Sequence, residues 1–125
     1  MHFLIHAATA SAATALASSL VSHAHTPHTL AELDLTADTP PDELFAALIQ
    51  RQWGLLTDER ALPEFLYTRR QAFNNVIILL ANNLEADDFA PAITRLFERY
   101  PRLARGRLYT LTPARVKIRQ LPGGN

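Results

Sequence analysis

Three imidazoles fall within six residues, His23-Ala24-His25-Thr26-Pro27-His28, and neutral imidazole is a good ligand for zinc, copper or nickel. The other two histidines, His2 and His6, lie in the same Ala/Ser/Thr-rich stretch, and none follows His28. A working metal centre needs a further ligand from a rigid element and an outer group to orient each ring. This stretch offers neither, so the histidines are read as surface groups and no metal is assigned. Two carboxylate pairs, Asp58-Glu59 and Asp87-Asp88, have the right type for acid–base work. Each precedes an apolar helical pattern, however, and capping of a helix start accounts for both. The four glycines, Gly54, Gly106, Gly123 and Gly124, form no phosphate-cradling loop. There is no cysteine, which excludes disulfides, thiolate metal sites and a cysteine nucleophile. No catalytic residue and no cofactor are assigned, and whether the chain is an enzyme stays open.

Charge supplies the remaining chemistry. The net charge is zero, yet residues 1 to 50 carry five acids and no Lys or Arg, while residues 99 to 125 carry seven bases and no acid. Arg115, Lys117 and Arg119 alternate with Val116 and Ile118, which on a strand places the bases on one face and the aliphatics on the other. Arg105 and Arg107 alternate in the same way just upstream. Those five cations are the candidate anion-binding residues, suited to RNA, a nucleotide or an anionic lipid. Tyr109 is the one aromatic among them, whereas single-strand binders interleave several for base stacking. A solvated face, or one that meets an acidic protein partner, is the competing reading.

The elements that would position these groups are legible mainly after residue 39. Thr39-Pro40-Pro41-Asp42-Glu43 is a helix start, followed by Phe45, Leu48, Ile49, Trp53 and Leu56 at helical spacing, with Gly54 as its stop. A second start at Thr57-Asp58-Glu59 leads to a short helix over about Leu62 to Ala72. Val76 to Ala81 is a continuous apolar run between asparagine pairs, the pattern of a strand buried on both faces. A helix follows, capped by Asp87 or Asp88, with Phe89, Ile93, Leu96, Phe97 and Tyr100 on one side, Pro91 in its first turn and Pro101 as its stop. Leu103 to Leu111 and Arg115 to Leu121, joined by Thr112-Pro113-Ala114, have the spacing of a β-hairpin. The expected fold class is mixed α/β: a buried strand, an amphipathic helix and a hairpin, preceded by one or two helices.

Length and composition set the domain count. A chain of 125 residues that is 48% apolar and 19% charged holds one domain with a modest core. Residues 1–38 read as an Ala/Ser/Thr-rich tail or signal segment with a linker, 39–121 as a single mixed α/β domain, and 122–125 as a flexible end. The tail's apolar centre is diluted by hydroxyls and has no positive flank, which argues against a membrane span. A cytoplasmic location is favoured, with secretion as the alternative if residues 1–24 are a cleaved signal.

The stretch from Arg60 to Leu103 also carries a resemblance. Arg60-Ala61-Leu62-Pro63-Glu64 with Arg69 or Arg70, then Phe73-Asn74-Asn75-Val76, then Arg99-Tyr100-Pro101-Arg102-Leu103 closing a helix, resemble the opening of the CoA-dependent acyltransferase superfamily. That superfamily includes alcohol acetyltransferases and peptide-synthetase condensation domains. The likeness covers about residues 58 to 121. It implies a helix, a core strand, a helix and a hairpin, and a carboxy-terminal acyltransferase region or protein partner to complete them. The superfamily works through a His-x-x-x-Asp motif that follows the hairpin, and this chain has none. The resemblance therefore implies a truncated or degenerate relative, without catalytic activity on its own. The alternative is a small anion- or nucleic-acid-binding or assembly protein that uses its basic hairpin.

Overall fold

The computed structural model describes residues 1–123, so of the expected flexible end Gly124 and Asn125 lie outside the described residues. In chain order the elements are β1 (His2–His6), α1 (Ala10–Ser22), β2 (Thr26–His28), a 3-10 turn (Leu30–Leu33) and α2 (Pro41–Arg51). Then come β3 (Gly54–Thr57), α3 (Ala61–Arg69), β4 (Ile77–Leu80), α4 (Ala86–Arg99), β5 (Arg107–Leu111) and β6 (Val116–Gln120). The six strands form one sheet in the order β2-β1-β3-β4-β5-β6. The first five are parallel, and β6 closes one edge antiparallel to β5. The mixed α/β class expected from the sequence is the one observed. The 2-1-3-4-5 core order is that of a common doubly wound sheet.

The largest departure concerns residues 1–38. Phe3, Leu4 and Leu16 are fully buried, and β1 lies inside the sheet between β2 and β3. The expected tail is thus a β-α-β unit of the core. Its Ala-rich helix works because small side chains let α1 approach closely: Ala12, Leu16 and Leu20 pack beside α4, and Thr9 caps the start by accepting from the Ala12 amide at 3.1 Å. A second departure is β3. Gly54-Leu55-Leu56-Thr57 is a fully buried strand between β1 and β4, where the sequence suggested a helix stop and a new helix start. Gly54 is required there, because a Cβ would meet the Phe3 ring at 2.8 Å and the Val76 carbonyl oxygen at 2.9 Å.

Alternation along the strands divides the core in two. Phe3, Ile5, Leu56, Ile78, Leu80, Tyr109 and Leu111 face α1 and α4, with Ile93 and Leu96 of α4 fully buried among them. Leu4, Leu55, Ile77, Leu79 and Leu108 face α2 and α3. The helix α4 begins at Ala86, so Pro91 sits in its second turn rather than its first, and Asp88 accepts from the Glu85 amide at 3.2 Å.

This division has a consequence for handedness. The crossover through α1 runs from β1 towards the β2 edge on one face, and those through α2 and α3 run the opposite way on the other face. These three share one hand. The α4 crossover runs in the same direction as that of α3 but on the α1 face, so its hand is opposite. Parallel crossovers are right-handed in about 98% of cases, which makes α4 the exception.

The residues that carry the acyltransferase resemblance keep the expected order as α3, β4, α4 and the β5–β6 hairpin. They are not a separable unit, since β4 pairs with β3 on one side and β5 on the other.

Candidate functional site

In an open parallel sheet, ligands bind outside the carboxyl ends of the strands, where neighbouring connections leave in opposite directions. Here that point lies between β1 and β3. His6 ends β1, Thr57 ends β3, and the two are register partners. The loops beyond them are tied together: the Ala8 amide donates to both carboxylate oxygens of Asp58, at 3.2 and 3.1 Å. Asp58 therefore does bind a backbone amide, but one from the β1–α1 loop rather than from its own helix. The start of α3 at Arg60 has no side-chain cap. Thr57 Oγ1 accepts from the Glu59 amide at 3.0 Å, turning the Glu59 side chain back towards β1.

His6 is the unusual residue of the group. Its side chain is 8% exposed, and Glu59 Oε2 lies 3.6 Å from its Nδ1, beyond hydrogen-bonding distance. Nδ1 has no other partner. A buried polar atom left without a hydrogen bond costs about 1–3 kcal/mol, and such exceptions call for an explanation from function or strain.

From His6 a single row of register partners crosses the α2/α3 face: His6, Thr57, Leu79, Thr110, Lys117. Its far end opens into a groove of about 660 Å³ between α3 and the hairpin. Leu108 and Thr110 line its sheet side, Arg60 and Glu64 its helical side, and Asn82 and Asn83 lie at the end of β4. Lys117 and Arg119 project into it from β6. The Arg119 guanidinium sits 3.7 Å from the centre of the Tyr67 ring, and the Tyr67 hydroxyl donates to the Gln120 carbonyl at 2.8 Å. Together these contacts fasten the edge strand to α3. Burial pushes the Tyr67 hydroxyl pKa above its ordinary value, with the Arg119 charge acting in the opposite sense.

The five cations singled out from the sequence do not share one face. Lys117 and Arg119 are together in the groove. Arg107 pairs with Gln120 and lies on the opposite face, with Tyr109 and Leu111. Arg115 stands in a separate groove beside Arg95, Glu98 and Arg99 of α4. Arg105 lines a cavity of about 290 Å³ with Gln52, Asn74 and Asn75, at the amino ends of the strands. Val116 packs against the core, but Ile118 stays exposed.

Apart from His6, the histidines fall into two groups, His2 with His28 and His23 with His25 on Phe97. His28 stacks on Trp53 with ring centres 3.7 Å apart and holds Glu32 through Nδ1 at 3.2 Å, while its Nε2 lies 2.7 Å from His2 Nδ1. His25 stacks on Phe97, and His23 contacts Thr94 at 3.3 Å. Among the described residues no group of three or more His, Cys, Asp or Glu side chains is arranged to hold a metal ion. No described helix is long and apolar enough to cross a membrane.

Sequence reasoning found Lys117 and Arg119 but missed His6, Glu59, Arg60, Asn82 and Asn83. One local signal was available, the run Leu55-Leu56-Thr57-Asp58, in which a short apolar strand delivers a carboxylate to the carboxyl end of the sheet. Compared with protein-family models, curated proteins and solved structures, the chain matches none. The fold and the site define a doubly wound α/β domain with a cationic groove between α3 and the β5–β6 hairpin, on the far side of the sheet from β1.

Proposed function

We propose that this chain binds single-stranded RNA through its phosphates, in the groove between α3 and the β5–β6 hairpin. One observation carries the reading: Lys117 and Arg119 point the same way into a groove that Arg60, Asn82 and Asn83 complete. Two residues along an antiparallel strand span about 6.8 Å, so these cations suit neighbouring phosphates of a chain better than one compact anion. The asparagine amides add neutral donors, and Arg60, although 3.6 Å from Glu64, remains exposed.

Anisotropy of a labelled RNA 12-mer, titrated at several salt concentrations, tests this. Each phosphate contact on a single strand contributes about −0.7 to the slope of log affinity against log salt. Lys117→Ser and Arg60→Ser should each weaken binding and flatten that slope by about 0.7. Arg105→Ser and Arg115→Ser, outside the groove, should leave both unchanged. Equal losses in the two pairs would reduce the binding to general charge and remove the site.

A second proposal, shared ancestry with the front of the acyltransferase superfamily, rests on the order α3, β4, α4 and hairpin. It assigns no catalytic group, since every histidine precedes β3. An in-frame His-x-x-x-Asp in the coding sequence just downstream would test it, and its absence there would remove the truncated form of this reading.

A further inference from the structure

Arg119 does more in this groove than carry a charge. Its guanidinium carbon lies 3.7 Å from the centre of the Tyr67 ring, within the contact range of two carbon atoms. A planar guanidinium reaches that distance over a ring centre only by lying flat on it. Arg119 lines the groove and Tyr67 does not, so the guanidinium covers the ring and turns its second face to the open side. Tyr67 is itself fixed, because its hydroxyl donates to the Gln120 carbonyl at 2.8 Å. The platform is built before any ligand arrives, and little rotamer freedom remains to be lost on binding.

Unpaired RNA bases stack on guanidinium planes as they do on aromatic rings. The N–H groups of Arg all lie in the plane of the fork, so its edge can donate to a phosphate while its face holds a base. The surroundings suit a flat, partly apolar group: Leu108 is the register partner of Arg119 on β5, and Pro63 and Leu79 line the same groove. Tyr109, the aromatic that the sequence offered for stacking, is buried on the opposite face, where its hydroxyl accepts from the Ala104 amide at 2.9 Å. The stacking surface in the groove is cationic rather than aromatic, and two elements, α3 and β6, assemble it.

We propose that Arg119, backed by Tyr67, stacks an unpaired base of the bound strand and so restricts the groove to single strands; this rests on the RNA-binding reading above. Lys117, two residues along the same face of β6, then meets the backbone beside that base. In a duplex each base is paired and stacked between its neighbours, so no base face is free for Arg119.

The test is anisotropy of the full chain with three labelled ligands: an RNA 12-mer, a ribose–phosphate 12-mer of the same charge without bases, and the RNA annealed to its complement. Wild type should bind the RNA about tenfold more tightly than the abasic chain, the ordinary size of one stacked base. It should also prefer the single strand to the duplex, although the duplex carries more charge. Arg119→Lys keeps the charge without the plane, so it should bind RNA and abasic chain alike, with the wild-type salt slope. Tyr67→Leu should lose the same preference, and Tyr67→Phe, which keeps the ring, should retain it. A circular dichroism spectrum and melt for each variant establish that it is folded. RNA and abasic chain bound equally by wild type would overturn this inference and leave the phosphate reading standing; binding of neither would overturn both. An Arg119→Lys preparation that keeps the tenfold preference, or duplex bound as tightly as the single strand, would each overturn the stacking role.

Discussion

Cutting Leu16 to Ala measures whether the first 28 residues belong to the core. Leu16 is fully buried on α1, in the cluster that holds Phe3, Ile5, Ile93 and Leu96. The change removes three carbons, and at about 0.8 kcal/mol per buried methylene their transfer alone contributes about 2.4 kcal/mol. The cavity left between α1, α4 and the sheet adds to this, within the 2–5 kcal/mol found for Leu→Ala in packed cores. Alanine's slightly better helix propensity offsets a few tenths of that. The expected loss is about 3 kcal/mol, a large part of the 5–15 kcal/mol that holds a domain together.

Urea unfolding followed by far-UV circular dichroism is the assay, with the midpoint and the m-value both fitted. The midpoint should fall with m unchanged, because the same surface is exposed on unfolding. In a thermal melt the shift should be about 12 °C, at roughly 4 °C per kcal/mol for a chain of this size. Val21→Ala is the internal control: Val21 is on the same helix but 62% exposed, and its loss should stay within about 0.5 kcal/mol. A Leu16→Ala midpoint equal to that of Val21→Ala would detach α1 from the sheet and refute the packing on which the β1–β3 site depends.

Three further changes probe the same frame. Leu96→Ala, on the facing side of α4, should cost about 2–5 kcal/mol and combine non-additively with Leu16→Ala, since both line one cluster; strict additivity in a double-mutant cycle would separate the two helices. Gly54→Ala should destabilise by about 1–3 kcal/mol through its contact with the Phe3 ring, and a melt unchanged from wild type would displace β3 from its place beside β1. Burial, beside Phe97 and Phe3, and then the positive amino terminus hold the His25 pKa below its ordinary value, so the unfolded chain binds that proton more tightly. Stability linked to His25 is therefore complete above its unfolded pKa near 6.5 and is lost as pH falls through the lower folded value. Melts of wild type and His25→Leu from pH 7.5 to 4.5 should diverge on the acid side, and parallel curves would remove the linkage.

What the sequence disclosed depended on how local each signal was. Phe89, Ile93, Leu96 and Phe97 at helical spacing define α4 by themselves, and the apolar run around Ile78 needs no partner to read as a buried strand. Gly54 to Thr57 is too short for periodicity, and the Leu56 side chain also fits a continuation of the preceding helix. The first 28 residues failed for a different reason. Their buried helix face uses Ala12 beside Leu16 and Leu20, so close approach replaces bulk and the composition looks like that of a loose tail. The site was least legible of all, because His6 meets Glu59 only through the pairing of β1 with β3, which no local pattern records. Alternation did place Lys117 and Arg119 on one face. It could not show that Arg107, one strand over, belongs to the other.

The opposite hand of the α4 crossover explains why that face of β6 is available. Had α4 followed the hand of α3, it would lie on the same side of the sheet as α3 and cover Leu108 and Thr110 of β5, which line the groove. Instead α4 sits beside α1, where the small side chains of Ala12 and Ala13 make room for it. The contacts that seal this arrangement are polar and local: Arg95 of α4 donates to the Pro113 carbonyl at 2.8 Å and the Thr112 carbonyl at 3.3 Å, fixing the β5–β6 turn from the α1 side. The hairpin is thereby held by Arg95 on one face and by Tyr67 on the other, and a groove remains between α3 and Lys117. Leu79 and Leu108 form an apolar floor there, and Thr110, Lys117 and Arg119 add the polar and charged groups. The Ala-rich helix that looked least structural in the sequence is thus what lets α4 cross over, and its crossing leaves the cationic groove open between α3 and β6.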